Sequence, residues 1–192
     1  MMMKLSYVKV FSFVFLTAFG LLLAPLAQST SLAQLSLAQM VSSAHAIVQA
    51  DVVANECQWR DGEIWTVTSF RVIENWKGSS PPEIDVWMIG GRVGQIASYV
   101  PGVPRFHPGE EAILFLEPTR TGEMSVTAWG EGTFRIRVDA RTGVARVTQD
   151  TAITPEYDAL THTFQHNGIR DWPLAELKIR VLEAEAAQGS AR

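Results

Sequence analysis

Ile64-Trp65-Thr66-Val67-Thr68-Ser69-Phe70-Arg71-Val72-Ile73-Glu74-Asn75-Trp76 decides the fold class of this chain. β-Branched and aromatic residues dominate the stretch. Ile64, Thr66, Thr68, Phe70 and Val72 fall on one face of an extended chain. Trp65, Val67, Arg71 and Ile73 fall on the other. Period-two alternation of such residues predicts a strand partly covered on both sides.

The neighbouring segments read the same way. Upstream, Asp61-Gly62 signals a turn within the connection Asn55–Glu63. Before it, the Val- and Ile-rich stretch Ala46–Ala54 predicts a first strand. Ser36 and Gln39 have capping-box spacing, and Leu37, Met40, Val41 and Ala44 share one helical face, so a short helix is expected over about 36–44. Downstream, Lys77-Gly78-Ser79-Ser80-Pro81-Pro82 forms a loop and Ile84–Ile89 a third strand. Residues 90–109 are rich in Gly and Pro and predict a long loop, which in a compact domain points to function or to disorder. Further strands are expected at Glu110–Glu117, Met124–Trp129, Phe134–Val138 and Val144–Val147, the last two joined as a hairpin. Asp171-Trp172-Pro173 predicts the start of a C-terminal helix reaching about Ala187, with Asp as cap and Pro in the first turn. Roughly six or seven short strands with a helix at each end favour a small barrel or sandwich.

The first residues read as an address. Lys4 and Lys9 precede a charge-free apolar run from Val10 to Leu26, and small residues follow. This is the layout of a signal peptide, expected over residues 1–33 with cleavage after Ala27 or Ala33, and it implies export to the periplasm, envelope or exterior. If the segment stays uncleaved, it is the only expected contact with a membrane. Residues 34–192 then form a single domain. Without Lys4 and Lys9 the chain has 14 basic against 20 acidic residues, a net charge of −6. An acidic chain with no basic stretch argues against a nucleic-acid partner. Cys57 is the only cysteine, so no intrachain disulfide can form, and a buried inert thiol is expected.

Several constellations are candidate sites. His162 and His166 lie four apart and could share a metal on a helix, with Asp158 one turn earlier. No Glu follows the first His and Asn167-Gly168 breaks the segment, so solvated histidines are the default, and no metal or other cofactor is expected. Gly90-Gly91-Arg92-Val93-Gly94 lacks the Lys-Ser/Thr of a nucleotide loop. Six tryptophans are many for this length, and core packing is their expected use ahead of a sugar platform. Tyr99, Val103, Arg105 and Phe106 give the long loop the composition of a protein-binding edge. The alternative is that the same side chains form local core.

Three segments in order carry a family resemblance: Ala44–Val53 after a short helix, Thr66–Gly78 ending in Trp76-Lys77-Gly78, and Phe106–Leu116 with Gly109-Glu110 before a buried strand. Over about residues 36–138 the chain resembles the netrin-like domain of tissue inhibitors of metalloproteinases, and more closely a set of exported bacterial proteins with that pattern. The resemblance implies a small OB-like β-barrel with flanking helices, which binds partners at its loops and at one strand face. It does not carry the inhibitory activity, because that family uses an N-terminal Cys and this chain has only Cys57. The expected function is an exported, non-enzymatic domain that binds a protein, an extracellular protease being one candidate, through Tyr99, Val103, Arg105 and Phe106. The alternatives are an exported hydrolase, metal-dependent or carbohydrate-active, and a structural envelope protein.

Overall fold

In a computed structural model, residues 35–153, 156–158, 163–165 and 168–189 are described. The expected signal segment and both His162 and His166 lie outside the described residues. Helix α1 (Leu37–Ser43) leads into two 15-residue strands, β1 (Ala46–Arg60) and β2 (Glu63–Lys77). Strand β3 (Glu83–Ile89) follows, then a small hairpin of β4 (Gly91–Val93) and β5 (Ile96–Ser98). After β6 (Glu111–Pro118) come β7 (Met124–Val126), β8 (Thr133–Val138) and β9 (Ala145–Gln149). The chain ends with α2 (Asp150–Ile153), β10 (Glu156–Asp158), β11 (Thr163–Gln165), β12 (Trp172–Pro173) and α3 (Leu174–Gly189).

Strand β1 is longer than its apolar run because it continues to the Asp61-Gly62 turn and pairs with β2 from Ile47↔Lys77 to Arg60↔Glu63. Its first half is also paired on the other edge, with β6, from Ala46↔Leu116 to Asp51↔Glu111. The first half of β1 and most of β6 are buried on both faces, and period two assigns each residue to a layer. Val48, Ala50 and Val52 of β1, with Ala112, Leu114 and Leu116 of β6, join Phe70, Val86 and Met88 in one core. Ile47, Ile113 and Phe115 point the opposite way, into a second core with Met40 and Val41 of α1 and Leu177 and Val181 of α3. This is why Ala112–Leu116 is an uninterrupted apolar run.

The junction of α1, β2 and α3 is built from local chemistry. Ser36 Oγ accepts from the Gln39 amide and Gln39 Oε1 from the Ser36 amide, the expected capping box. At the other end of α1, Lys77 Nζ donates to the carbonyls of Val41 and Ala44, placing a cation where the helix dipole is negative. Trp76 is buried in the second core. Its Nε1 donates to Glu74, which also takes Lys178 of α3 at 2.6 Å. The Lys178 ammonium holds the Glu74 carboxyl below its usual range despite partial burial. Gly78 then turns with φ +68, and a Cβ there would lie 2.8 Å from the His45 carbonyl oxygen.

Three expectations are corrected. The fold is mainly β with a helix at each end of the domain, but the small OB-like (netrin/TIMP-like) β-barrel is not formed. One mixed sheet runs β1-β2-β3-β7-β6-β8-β9-β12, with β1 also paired to β6, and it differs from the expected small barrel in continuing past β6 through β8, β9 and β12. β3 and β7 meet at a single parallel pair, Val86↔Met124, and beyond β6 the sheet continues through β8 and β9 to an open end at β12. The physical reason lies in β6, whose second edge is divided: residues 112–114 pair with β8 and residues 116–118 with β7. Second, Asp171 does not cap the last helix, because its carboxylate accepts from Arg146 Nε at 2.6 Å. Pro173 stays extended, paired with Arg146, and the helix starts at Leu174. Third, the 90–109 loop contains the β4–β5 hairpin.

Gly78→Ala should lower stability by about 2 kcal/mol, from the left-handed backbone and the clash with His45. Urea unfolding measures this, and an unchanged midpoint would contradict the packing of this corner.

Candidate binding cleft beneath the 90–107 loop

After β3, the chain leaves the sheet at Gly90 and returns to it at Glu110. The return is pinned by a buried aromatic ring. Phe106 is only 5% exposed and packs edge-on against Phe70, with centroids 5.0 Å apart and planes at 83°. Its carbonyl accepts from Asn55 Nδ2 at 2.7 Å, and Asn55 Oδ1 in turn accepts from Thr68 Oγ1 at 2.7 Å. Gly109 N donates to the Val52 carbonyl and Gly130 N to that of Gly102, so backbone bonds hold the segment at two further points.

Arg135 of β8 gathers the remaining contacts. Its Nη1 donates to Glu110 at 2.6 Å, its Nε and Nη2 hold both oxygens of Asp150 at 2.8 Å, and Nη2 also reaches the Arg105 carbonyl at 2.7 Å. The guanidinium lies 4.3 Å from the centroid of the Phe106 ring. With 15% of the side chain exposed, these are partly desolvated, charge-assisted bonds. Burial pushes the Glu110 carboxyl up. The His107 ring and amide together with Arg135 outweigh it, and Glu110 is held below the usual carboxylate range.

Between this pinned segment and the β1–β2 hairpin lies a cleft of about 330 Å³. Asn55, Cys57, Thr66 and Met88 line its floor, and Arg92, Arg105 and His107 line its wall. Thr66 Oγ1 donates to the Gly90 carbonyl at 2.7 Å and lies 3.3 Å from Cys57 Sγ. Gly91 sits against this pair, where a Cβ would meet Thr66 Oγ1 at 2.5 Å and Cys57 Sγ at 2.8 Å. The thiol is half-buried on the cleft floor, where full burial was expected.

The four residues expected to bind a partner are divided by the structure. Tyr99 is 69% exposed and carries the Arg105 guanidinium 4.8 Å over its ring. Val103 is half-buried against the first core, and Phe106 belongs to that core. No tryptophan lines the cleft. Trp76 is buried, Trp87 lies beneath Arg60 and Trp172 beneath Arg180. Among the described residues, no group of three or more His, Cys, Asp or Glu could hold a metal ion. Asn55, Thr66, Arg92 and Arg135 are the site residues that sequence reading missed. Thr66 shares the Phe70 face of β2 and was within reach of the alternation rule. Arg135 enters only through the register Ala112↔Arg135 between distant strands.

No protein-family model matches this chain, and no curated protein or solved structure matches it either. Neither the comparisons nor the sheet topology sustains the netrin-like resemblance.

Arg135→Ala would leave Glu110, Asp150 and the Arg105 carbonyl without their shared donor. The expected loss is about 2–3 kcal/mol, below that of a fully buried pair because Glu110 is partly exposed. Arg135→Lys should restore only part of it, since an ammonium cannot hold Asp150 with two parallel bonds. The depressed Glu110 pKa adds a pH signature. Its stabilisation is present above the unfolded carboxylate value, about 4.3, and is lost as pH falls through the lower folded value. The gap in unfolding midpoint between wild type and Glu110→Gln should therefore be larger at pH 7 than at pH 3. A gap that grows on acidification would contradict this.

Proposed function

We propose that this chain is an exported, non-enzymatic protein-binding domain that engages its partner through Tyr99 and Arg105. The observation that carries the reading is the set of contacts that hold their support. A large, strongly exposed aromatic ring and an arginine stack on each other on a loop that is bonded to the core at Gly102, Arg105, Phe106 and Gly109. Tyr and Arg are the side chains that most often dominate binding energy at protein interfaces. Holding them in place before contact reduces the ordering cost of association. Val103 and Phe106 serve the site from below, by fixing the loop.

Export rests on the basic, apolar and small-residue order of the first residues. The hydrolase and envelope readings have no observation among the described residues in their favour.

The test is partner capture followed by a quantitative comparison. The protein is cross-linked in its native exported fraction, the captured partner is identified by mass spectrometry, and its affinity is measured by calorimetry. Tyr99→Ala with Arg105→Ala should weaken that partner at least about tenfold, the level of a hot-spot residue, with the unfolding midpoint unchanged. Undiminished affinity would rule out this edge as the binding surface.

A further inference from the structure

The wall of the cleft differs in charge from the chain as a whole. It carries Arg92, Arg105 and His107 and no aspartate or glutamate, in a protein of net charge −4. His107 is paired with Glu110 at 2.9 Å, and Glu110 is also held by Arg135. Among the described residues, neither Arg92 nor Arg105 has a carboxylate partner. Both are exposed, so their charges face incoming solute.

The floor has another chemistry. Val100 and Val103, both half-buried, contribute apolar surface, and the buried Met88 and Phe106 complete the apolar lining. The oxygen and nitrogen groups beside them are engaged within the protein. Thr66 donates to Gly90, Thr68 to Asn55, and Asn55 to the Phe106 carbonyl. A small free anion would find charge at the wall and no oriented polar partner beneath it. A chain segment can satisfy both layers, because one side chain can enter the cleft while its neighbours remain at the rim.

We infer that the cleft receives an extended, acidic segment of the partner protein. One apolar side chain of that segment rests on Val100 and Val103, and flanking carboxylates meet Arg92 and Arg105. This rests on the protein-binding reading above and adds the chemical class of the partner. Tyr99, beside Arg105, packs on the same segment where it leaves the cleft. Charge complementarity at an exposed rim acts mainly on association rate and on partner choice, so binding is salt-sensitive.

The experiment pans a random dodecapeptide display library on the purified protein. Selected peptides are then titrated against wild type, Tyr99→Ala, and Arg92→Ala with Arg105→Ala, with circular dichroism and the unfolding midpoint confirming that each variant is folded. The expected sequences combine an apolar residue with flanking Asp or Glu. The double arginine variant should bind them about tenfold more weakly, as for two exposed charge contacts of about 0.7 kcal/mol each. Reversing both charges, Arg92→Glu with Arg105→Glu, should move selection towards Lys- and Arg-bearing peptides. Peptides that lack acidic enrichment but lose binding with Tyr99→Ala would overturn the acidic class and leave the protein-binding reading standing. No selected peptide at all would overturn the extended-segment inference alone, and peptides indifferent to every variant would overturn both.

Discussion

Strand β1 is paired on two edges and buried on two faces over its first half, and the rest of the domain depends on that. Its β2 edge carries the long hairpin and its β6 edge joins the rest of the sheet. Its two faces separate the two cores, one inside the curved sheet and one beneath the helices. Register shifts at Ile47/Val48, Gln49/Ala50 and Val52/Ala54 add local twist and bending, which lets a single strand face two partners that diverge. The fully buried side chains among Ala46–Val52 leave little room for substitution. Loss of a methylene-rich group there would open a cavity in whichever core it faces, at a typical cost of about 2–5 kcal/mol for a large-to-Ala change.

The cleft follows from where this two-sided pairing ends. Beyond Asp51, β1 no longer has β6 beside it, and the returning loop takes that place. Val52 accepts from Gly109 and donates to the Glu110 carbonyl, and Asn55 reaches the Phe106 carbonyl. Phe106 closes the first core from this side, and Arg135 ties the same turn to the far strands of the sheet. The loop is therefore attached to the fold by its apolar and backbone groups. Its remaining polar and aromatic groups, Tyr99, Arg105 and Arg92, face outward. The binding reading draws its strength from that division between what anchors the loop and what it displays.

Much of this was legible from local pattern, and the rest depended on partners far along the chain. Alternation in Ile64–Trp76 revealed β2 and its buried face, and Ser36 with Gln39 revealed α1, because both signals act over a few residues. Trp76-Lys77-Gly78 was visible as a turn. Its reason was not, since Lys77 caps a helix more than thirty residues upstream and Gly78 lies against His45. Apolar character alone could not separate Tyr99 from Phe106, because exposure is decided by which ring meets Phe70. The barrel expectation failed for a similar reason. Strand lengths and turns do not show that β6 divides one edge between β7 and β8, or that the sheet runs on to β12. Asp171-Trp172-Pro173 had the composition of a helix start, but pairing with β9 outweighed it.

The central claim is that residues 99–110 are held by the core as a pre-organised edge. Amide hydrogen exchange tests this directly. The amides of His107, Gly109 and Glu110 each have an intramolecular acceptor, and the account predicts that they exchange slowly, in the range of β1 amides. Exchange of this segment at the rate of an unstructured peptide, with β1 and β6 still protected, would contradict the account.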